Sequence, residues 1–173
     1  QLPLSVITGD INGLKLINDA FGHAEGDKII IESAMIIKGC CRQGDILART
    51  GGDEFGIIMP RTDSVTALEV LQNIQTALKK FDSENNIEMY QHSVSLGYAT
   101  KEKIEEEIMY ILRTAEDHMY QRKLLEANSV HSTIVASIKA TLFEKSHETE
   151  EHAERLVALS KAIGMALNLS QVE

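Results

Sequence analysis

The chain has 173 residues, 43% of them hydrophobic, which suits one ordinary domain with some chain to spare. With no Trp and only four Phe, its core must be largely aliphatic. A formal charge of −9, from 17 basic and 26 acidic residues, argues against DNA or RNA binding by charge, but leaves room for a nucleotide at a local positive site.

No apolar run reaches bilayer length and no leader peptide is visible, so no direct membrane contact is expected of this stretch. Cys40 and Cys41 are adjacent and read as free thiols, hence a reducing, cytoplasmic setting, even for a membrane-tethered parent. The first strand begins with almost no lead-in, so the chain is expected to start inside a larger protein.

In chain order, Leu2 to Thr8 is an apolar run ending at Gly9-Asp10 and reads as a buried strand. Gly13 to Phe21 has helical spacing, with Leu14, Ile17 and Phe21 on one face and Gly22 as the stop. Glu25 to Lys38 is a second helix. Asp45 to Thr50 and Phe55 to Met59 are strands joined at Gly51-Gly52, where glycine at positive φ predicts a tight hairpin. Pro60 to Asp63 is a loop, with Ser64 as helix N-cap. Val65 to Phe81 carries a stripe of Leu68, Leu71, Ile74, Leu78 and Phe81. Tyr90 to Thr100 alternates and reads as a strand. Lys103 to Lys123 is a fourth helix, with Ile104, Ile108, Ile111, Ala115 and Met119 facing inward. This order predicts an α/β (α+β) fold, a central sheet covered by helices. Past Asn128 the pattern changes to two further helices, Ser132 to Lys145 and Glu148 to Leu167. The domains expected are therefore 1–128 and a helical segment, 129–173.

Two stretches carry candidate chemistry. Asp53 and Glu54 follow the Gly51-Gly52 turn directly. Carboxylates so close to a buried sheet call for positive charge, and hard oxygen ligands suit magnesium. Alone, the pair is better read as two acids on a solvated hairpin tip. Asp10 ends the first strand, at the edge where open α/β sheets hold ligands. Alone, it is as readily a helix cap as a ligand.

Asp10-Ile11-Asn12-Gly13-Leu14-Lys15-Leu16-Ile17-Asn18-Asp19, then Gly22-His23, Gly26-Asp27 and Gly51-Gly52-Asp53-Glu54-Phe55, resembles the GGDEF family of diguanylate cyclases. Ser95-Leu96-Gly97 and Ala115-Glu116 through Met119-Tyr120 to Lys123 continue the likeness, which covers roughly residues 1–128. The family joins two GTP molecules into cyclic di-GMP, with release of pyrophosphate. The resemblance implies a nucleotidyl-cyclase-like sheet of about five strands, magnesium (with manganese as a substitute) and a homodimer for catalysis. It implies metal binding by Asp10, the Ile11 carbonyl, Asp53 and Glu54, with Glu54 also placed to help deprotonate the attacking 3′-hydroxyl. Lys15 matches a position that stabilises charge on the transferring phosphate. Asn18, His23 and Asp27 match the guanine pocket, and Lys123 a triphosphate contact. Arg42 and Asp45 resemble the family's RxxD inhibitory site for cyclic di-GMP. Without the family, Asn18 reads as a local cap, Asp27 as an exposed first-turn acid, Lys15 as a solvated lysine and Arg42–Asp45 as a surface pair.

The sequence departs from the pattern in places. Asn12 stands where many members have a second Asp, and Ala127 where a phosphate-binding Arg often sits. The usual N-terminal helix and closing strand are not apparent. Glu148 to His152, with Arg155, resembles the start of an HD-GYP phosphodiesterase domain, although for these residues themselves a solvated acidic helix face with no metal bound is the preferred reading. The alternative expectation is therefore a catalytically weak domain that binds GTP or cyclic di-GMP and controls an attached HD-GYP phosphodiesterase.

Overall fold

The computed structural model describes residues 2–85, 87, 90–146 and 150–166, and among these the side chains other than those of 127–131, 133, 139, 141–146, 150–154 and 164. The chain forms two compact units, Gln1–Val135 and Ala136–Glu173. The first unit contains β1 (Leu4–Ile11), α1 (Leu14–Phe21), α2 (His23–Cys40), β2 (Ile46–Arg49), β3 (Glu54–Pro60), α3 (Ser64–Glu84), β4 (Val94–Lys101) and the beginning of α4 (Ile108–Ser146). The remainder of α4 and α5 (Glu150–Ala166) make up the described part of the second. No described helix is long and apolar enough to cross a membrane.

The described strands form one four-stranded sheet in the order β2-β3-β1-β4, with every pairing antiparallel. The expected class, helices over a central sheet, is what forms; the fifth strand expected is not among the described residues. Alternation separates the two faces. On β3, Phe55, Ile57 and Met59 are buried while Glu54 and Ile58 are exposed. Directly paired residues share a face, so Val6, Ile58 and Ala99 line one side. There Val6 and Ala99 pack with Ile111 and Ala115 of α4. The other side, with Ile7 and Ile57, belongs to a core that includes Ile17, Ile29, Leu71, Ile74 and Leu78 from α1, α2 and α3.

Gly97 sets the fit of α4 to the sheet. A Cβ there would lie 2.2 Å from both the Ala115 carbonyl oxygen and the Met119 nitrogen. Strand and helix therefore touch backbone to backbone, and glycine supplies the room.

Local details differ from the sequence reading. Neither Gly51 nor Gly52 takes positive φ, and the connection runs over residues 50–53. At Gly51 a Cβ would come within 2.6 Å of Glu54 Oε2, so a side chain there would displace the end of the flexible Glu54 side chain. The α3 cap is Asp63, not Ser64: its carboxylate accepts from the Thr66 N–H at 2.8 Å. The buried arc of α3 includes Ala67 and Val70, which leaves Leu68 at its edge, 37% exposed. Ile104 lies ahead of α4 and is exposed, as is Ile108 in its first turn, because the helix begins five residues later than its apolar spacing suggests. It also continues through Asn128 without a break.

The stretch leading into β4 is held by polar contacts with the helices. The buried His92 ring places Nδ1 2.6 Å from Asp82 Oδ1 on α3 and Nε2 3.0 Å from Glu32 Oε2 on α2. Tyr90 donates its hydroxyl to Glu25 Oε1 at 2.5 Å.

Candidate active site

The acids of the first motif meet those of the second because of strand register. Asp10 on β1 lies opposite Glu54 on β3 and Ser95 on β4, so all three side chains leave the same face at one end of the sheet. The Ile11 N–H donates to the Asp53 carbonyl at 3.0 Å, which pins the hairpin tip to the end of β1. The tip is also fixed by Arg49, whose guanidinium donates to the carbonyls of Gly51 and Gly52, the shortest contact being 2.6 Å.

Asp10 is 6% exposed. Burial, first of all, raises its carboxyl above the usual range; the Lys123 ammonium works against this, and the charges of Asp53 and Glu54 add to it. Lys123 reaches down from α4 to put Nζ 2.7 Å from Asp10 Oδ1, a contact of charge rather than of aligned hydrogen bonding. Three carboxylates thus crowd one sheet end against this ammonium. Among the described residues no three acidic, His or Cys side chains already form a metal-binding array. The donor chemistry still fits a hard cation held by two carboxylates and main-chain oxygen. Asp10 is buried at a sheet end where three carboxylates face one ammonium, and its Oδ1 accepts no aligned hydrogen bond.

The loop after Ile11 turns through Gly13 at φ 74 into α1, and Gly22 at φ 91 joins α1 to α2. That junction presses Asn18 against α2. A Cβ on Gly26 would fall 1.9 Å from Asn18 Oδ1, and this oxygen is buried without a hydrogen-bond partner. An orphaned buried acceptor is costly and suits an arriving N–H donor. Asp27, beside Gly26, is exposed, as are His23 at the first position of α2 and Lys15 on α1. A cavity of about 470 Å³ borders Glu54 on the α4 face; Ile46, Ile58, Leu112 and Tyr120 make it largely apolar and unsuited to a triphosphate.

Arg42 and Asp45 stand apart from this end. Ile46 lies opposite Ile58, which lies opposite Val6, four residues back along β1 from Asp10, or about 13 Å at strand rise. They also hold each other. Asp45, 5% exposed, accepts from the Arg42 main-chain N–H at 2.8 Å and from its guanidinium at 3.2 Å. Arg42 also donates to Thr62 Oγ1.

Sequence reasoning missed Arg49 and Glu126. Glu126 accepts from Ser95 Oγ at 2.8 Å and from Asn12 Nδ2 at 3.2 Å. One signal was available: Glu126 is three residues past Lys123, and so on the same helical face. Glu148 and Thr149 lie outside the described residues, as does the side chain of His152.

A sheet end lined with acids, a lysine beside it and an orphaned acceptor at the next helix junction make up the candidate site, on an α+β scaffold of helices over an antiparallel sheet. The profile of the family described as "Diguanylate cyclase, GGDEF domain" matches residues 1–129, and the chain belongs to that family. It is 32% identical over 119 residues to the diguanylate cyclase DgcM of Escherichia coli K12, covering 69% of this chain and 28% of that protein. It is likewise 32% identical over 130 residues to the response regulator PleD of Caulobacter vibrioides, covering 74% of this chain and 29% of that protein. The chain therefore spans under a third of the length of these curated relatives. Among solved structures, the GGDEF domain of DgcB from Caulobacter crescentus, in complex with c-di-GMP, superposes with a TM-score of 0.63 at 27% identity, covering 69% of this chain and 71% of that one. The GGDEF domain of TpbB (YfiN) from Pseudomonas aeruginosa superposes with a TM-score of 0.60 at 29% identity, covering 70% and 76%.

Proposed function

We propose that this chain is the catalytic domain of a diguanylate cyclase, joining two GTP molecules into cyclic di-GMP with release of two pyrophosphates. The observation that carries this reading is the gathering of Asp10, Asp53 and Glu54 at one sheet end beneath Lys123. Asp10, Asp53 and the Ile11 carbonyl would hold magnesium, with Glu54 beside them. The ion supplies charge stabilisation to the phosphate undergoing in-line attack. Lys123, and Lys15 on α1, meet the negative charge of the triphosphate. Glu54 takes the proton of the attacking 3′-hydroxyl. Asn18 Oδ1 accepts from the guanine edge, and Asp27 accepts from its N1–H and 2-amino group, a donor pair that adenine lacks. His23 shapes the pocket without chemistry. Each 3′-hydroxyl attacks a second GTP, so two copies of the domain must meet. The setting is cytoplasmic, where GTP is found.

Incubation with GTP and Mg²⁺ should give cyclic di-GMP, and Asp53→Ala should abolish it. Turnover that survives Asp53→Ala removes the metal assignment. Arg42 and Asp45 are proposed as the product-inhibition site, with Arg42 on a phosphate and Asp45 on a guanine edge. Unchanged cyclic di-GMP binding by Arg42→Ala would remove that site.

One observation favours a second reading. Lys123 already lies on Asp10, where a cation would go. A domain that binds GTP or cyclic di-GMP without turnover, and regulates an attached HD-GYP phosphodiesterase, would show binding of either nucleotide and no product.

A further inference from the structure

Asn12, Ser93, Ser95 and Glu126 form a polar knot just behind Asp10. Asn12 is 3% exposed and Ser95 fully buried. The Asn12 amide Nδ2 donates to Ser93 Oγ at 2.9 Å and to Glu126 Oε2 at 3.2 Å. The Ser95 hydroxyl lies 2.9 Å from Asn12 Oδ1 and 2.8 Å from Glu126 Oε2. It has one proton to share between them, and the charged acceptor makes the stronger bond. Glu126 is therefore tied by neutral donors to the end of β1 and to β4 at once.

The placement matters because of what else is on α4. Gly97 seats the helix against β4 at Ala115 and Met119. Glu126 clamps it again further along. Lys123 lies between the two fixed points, three residues from the clamp, with its ammonium on Asp10. We propose that Glu126, with Asn12 and Ser95, is a positioning set that fixes Lys123 over Asp10 for contact with the triphosphate. The proposal rests on the GTP reading above.

The knot also explains why position 12 is an amide. An Asp there would bring no donor to Glu126 and would set carboxylate against carboxylate. With Glu at 126, the chain needs a donor at 12.

Two measurements on the full chain test this. The first needs no nucleotide: the rate at which a small acylating reagent modifies Lys123, read by mass spectrometry. Glu126→Ala should free the lysine and raise labelling several-fold. Glu126→Gln, which keeps the acceptor oxygen, should leave it near wild type. The second is GTP kinetics. Glu126→Ala should raise KM about tenfold, the loss of one charge-assisted anchor, with a smaller change in kcat. Asn12→Asp should be impaired in the same way, and Asn12→Asp with Glu126→Gln, which exchanges donor and acceptor across the knot, should recover part of the loss. If Glu126→Ala leaves Lys123 labelling unchanged, or if the double exchange is no better than Asn12→Asp alone, the positioning role is wrong. Absence of GTP turnover in the wild type overturns the cyclase reading, while the labelling comparison still decides whether Glu126 positions Lys123.

Discussion

At the scale of the residue, buried charge is bearable here because each group has a partner in reach. His92 has both ring nitrogens facing carboxylates, which only accept, so both contacts are hydrogen bonds when both nitrogens carry protons. His92→Leu leaves Asp82 and Glu32 without the group between them. Urea unfolding should show a loss of about 3 kcal/mol, the scale for breaking a buried pair, and a loss below about 1 kcal/mol would mean that the acids relax into solvent. Glu25 gives a pH prediction. Its bond from Tyr90, then Lys28, holds its carboxyl below the usual range, and burial holds the Tyr90 phenol above its own. A depressed carboxyl contributes stability that is full above about pH 4.3, the free glutamate value, and is lost as pH falls through the lower folded value. Tyr90→Phe should therefore melt a few degrees below wild type at pH 7, with the gap closing as pH drops below about 4. A gap that is constant with pH would mean that the ring, not the hydroxyl, matters. At this scale the sequence was legible wherever a motif is contiguous, as at Asp10 and at Asp53-Glu54. It was illegible for Glu126, whose partner Asn12 is 114 residues away and is brought to it only by the packing of α4 on the sheet.

At the scale of the element, registers and caps decide where side chains end up. The strands could be read from alternation, and β1 and β3 occur where the apolar runs fall. The phase of α3 could not be read, since Leu68 and Ala67 are one residue apart and small Ala67 takes the tight position. Gly97 is the element-level constraint with the sharpest consequence. Gly97→Ala places a methyl group onto the backbone of α4, where no side chain can give way. The expected cost is about 3 kcal/mol, or a fall in melting temperature on the order of 10 °C. GTP affinity should fall with it, because Lys123 rides on the same helix. Gly39→Ala, where a Cβ meets nothing within 4 Å, is the matched control and should melt at or slightly above wild type.

At the scale of the whole molecule, the cyclase proposed above would have an acidic chain take an anionic substrate through one local arrangement rather than through its overall field. Binding of GTP with Mg²⁺ should therefore stabilise the fold by mass action, by about 2.7 kcal/mol at a hundred times Kd. The rise in melting temperature should require Mg²⁺ and should shrink in Asp53→Ala. A rise of equal size without the metal would separate GTP binding from the acids. That the chain would be α+β was plain from the order of its strands and helices. That α4 would run on past Asn128 was not, because a change in apolar pattern was read as a helix end where the helix continues to Ser146.

The grip of Arg49 on the hairpin tip reaches beyond the tip itself. In a trans peptide the amide hydrogen points opposite to the preceding carbonyl. Since the carbonyls of Gly51 and Gly52 both turn toward the guanidinium, the N–H groups of Gly52 and Asp53 turn away from it. Two adjacent peptide dipoles thereby show their positive ends on the side opposite Arg49, next to Gly52, where a Cβ would meet nothing within 4 Å.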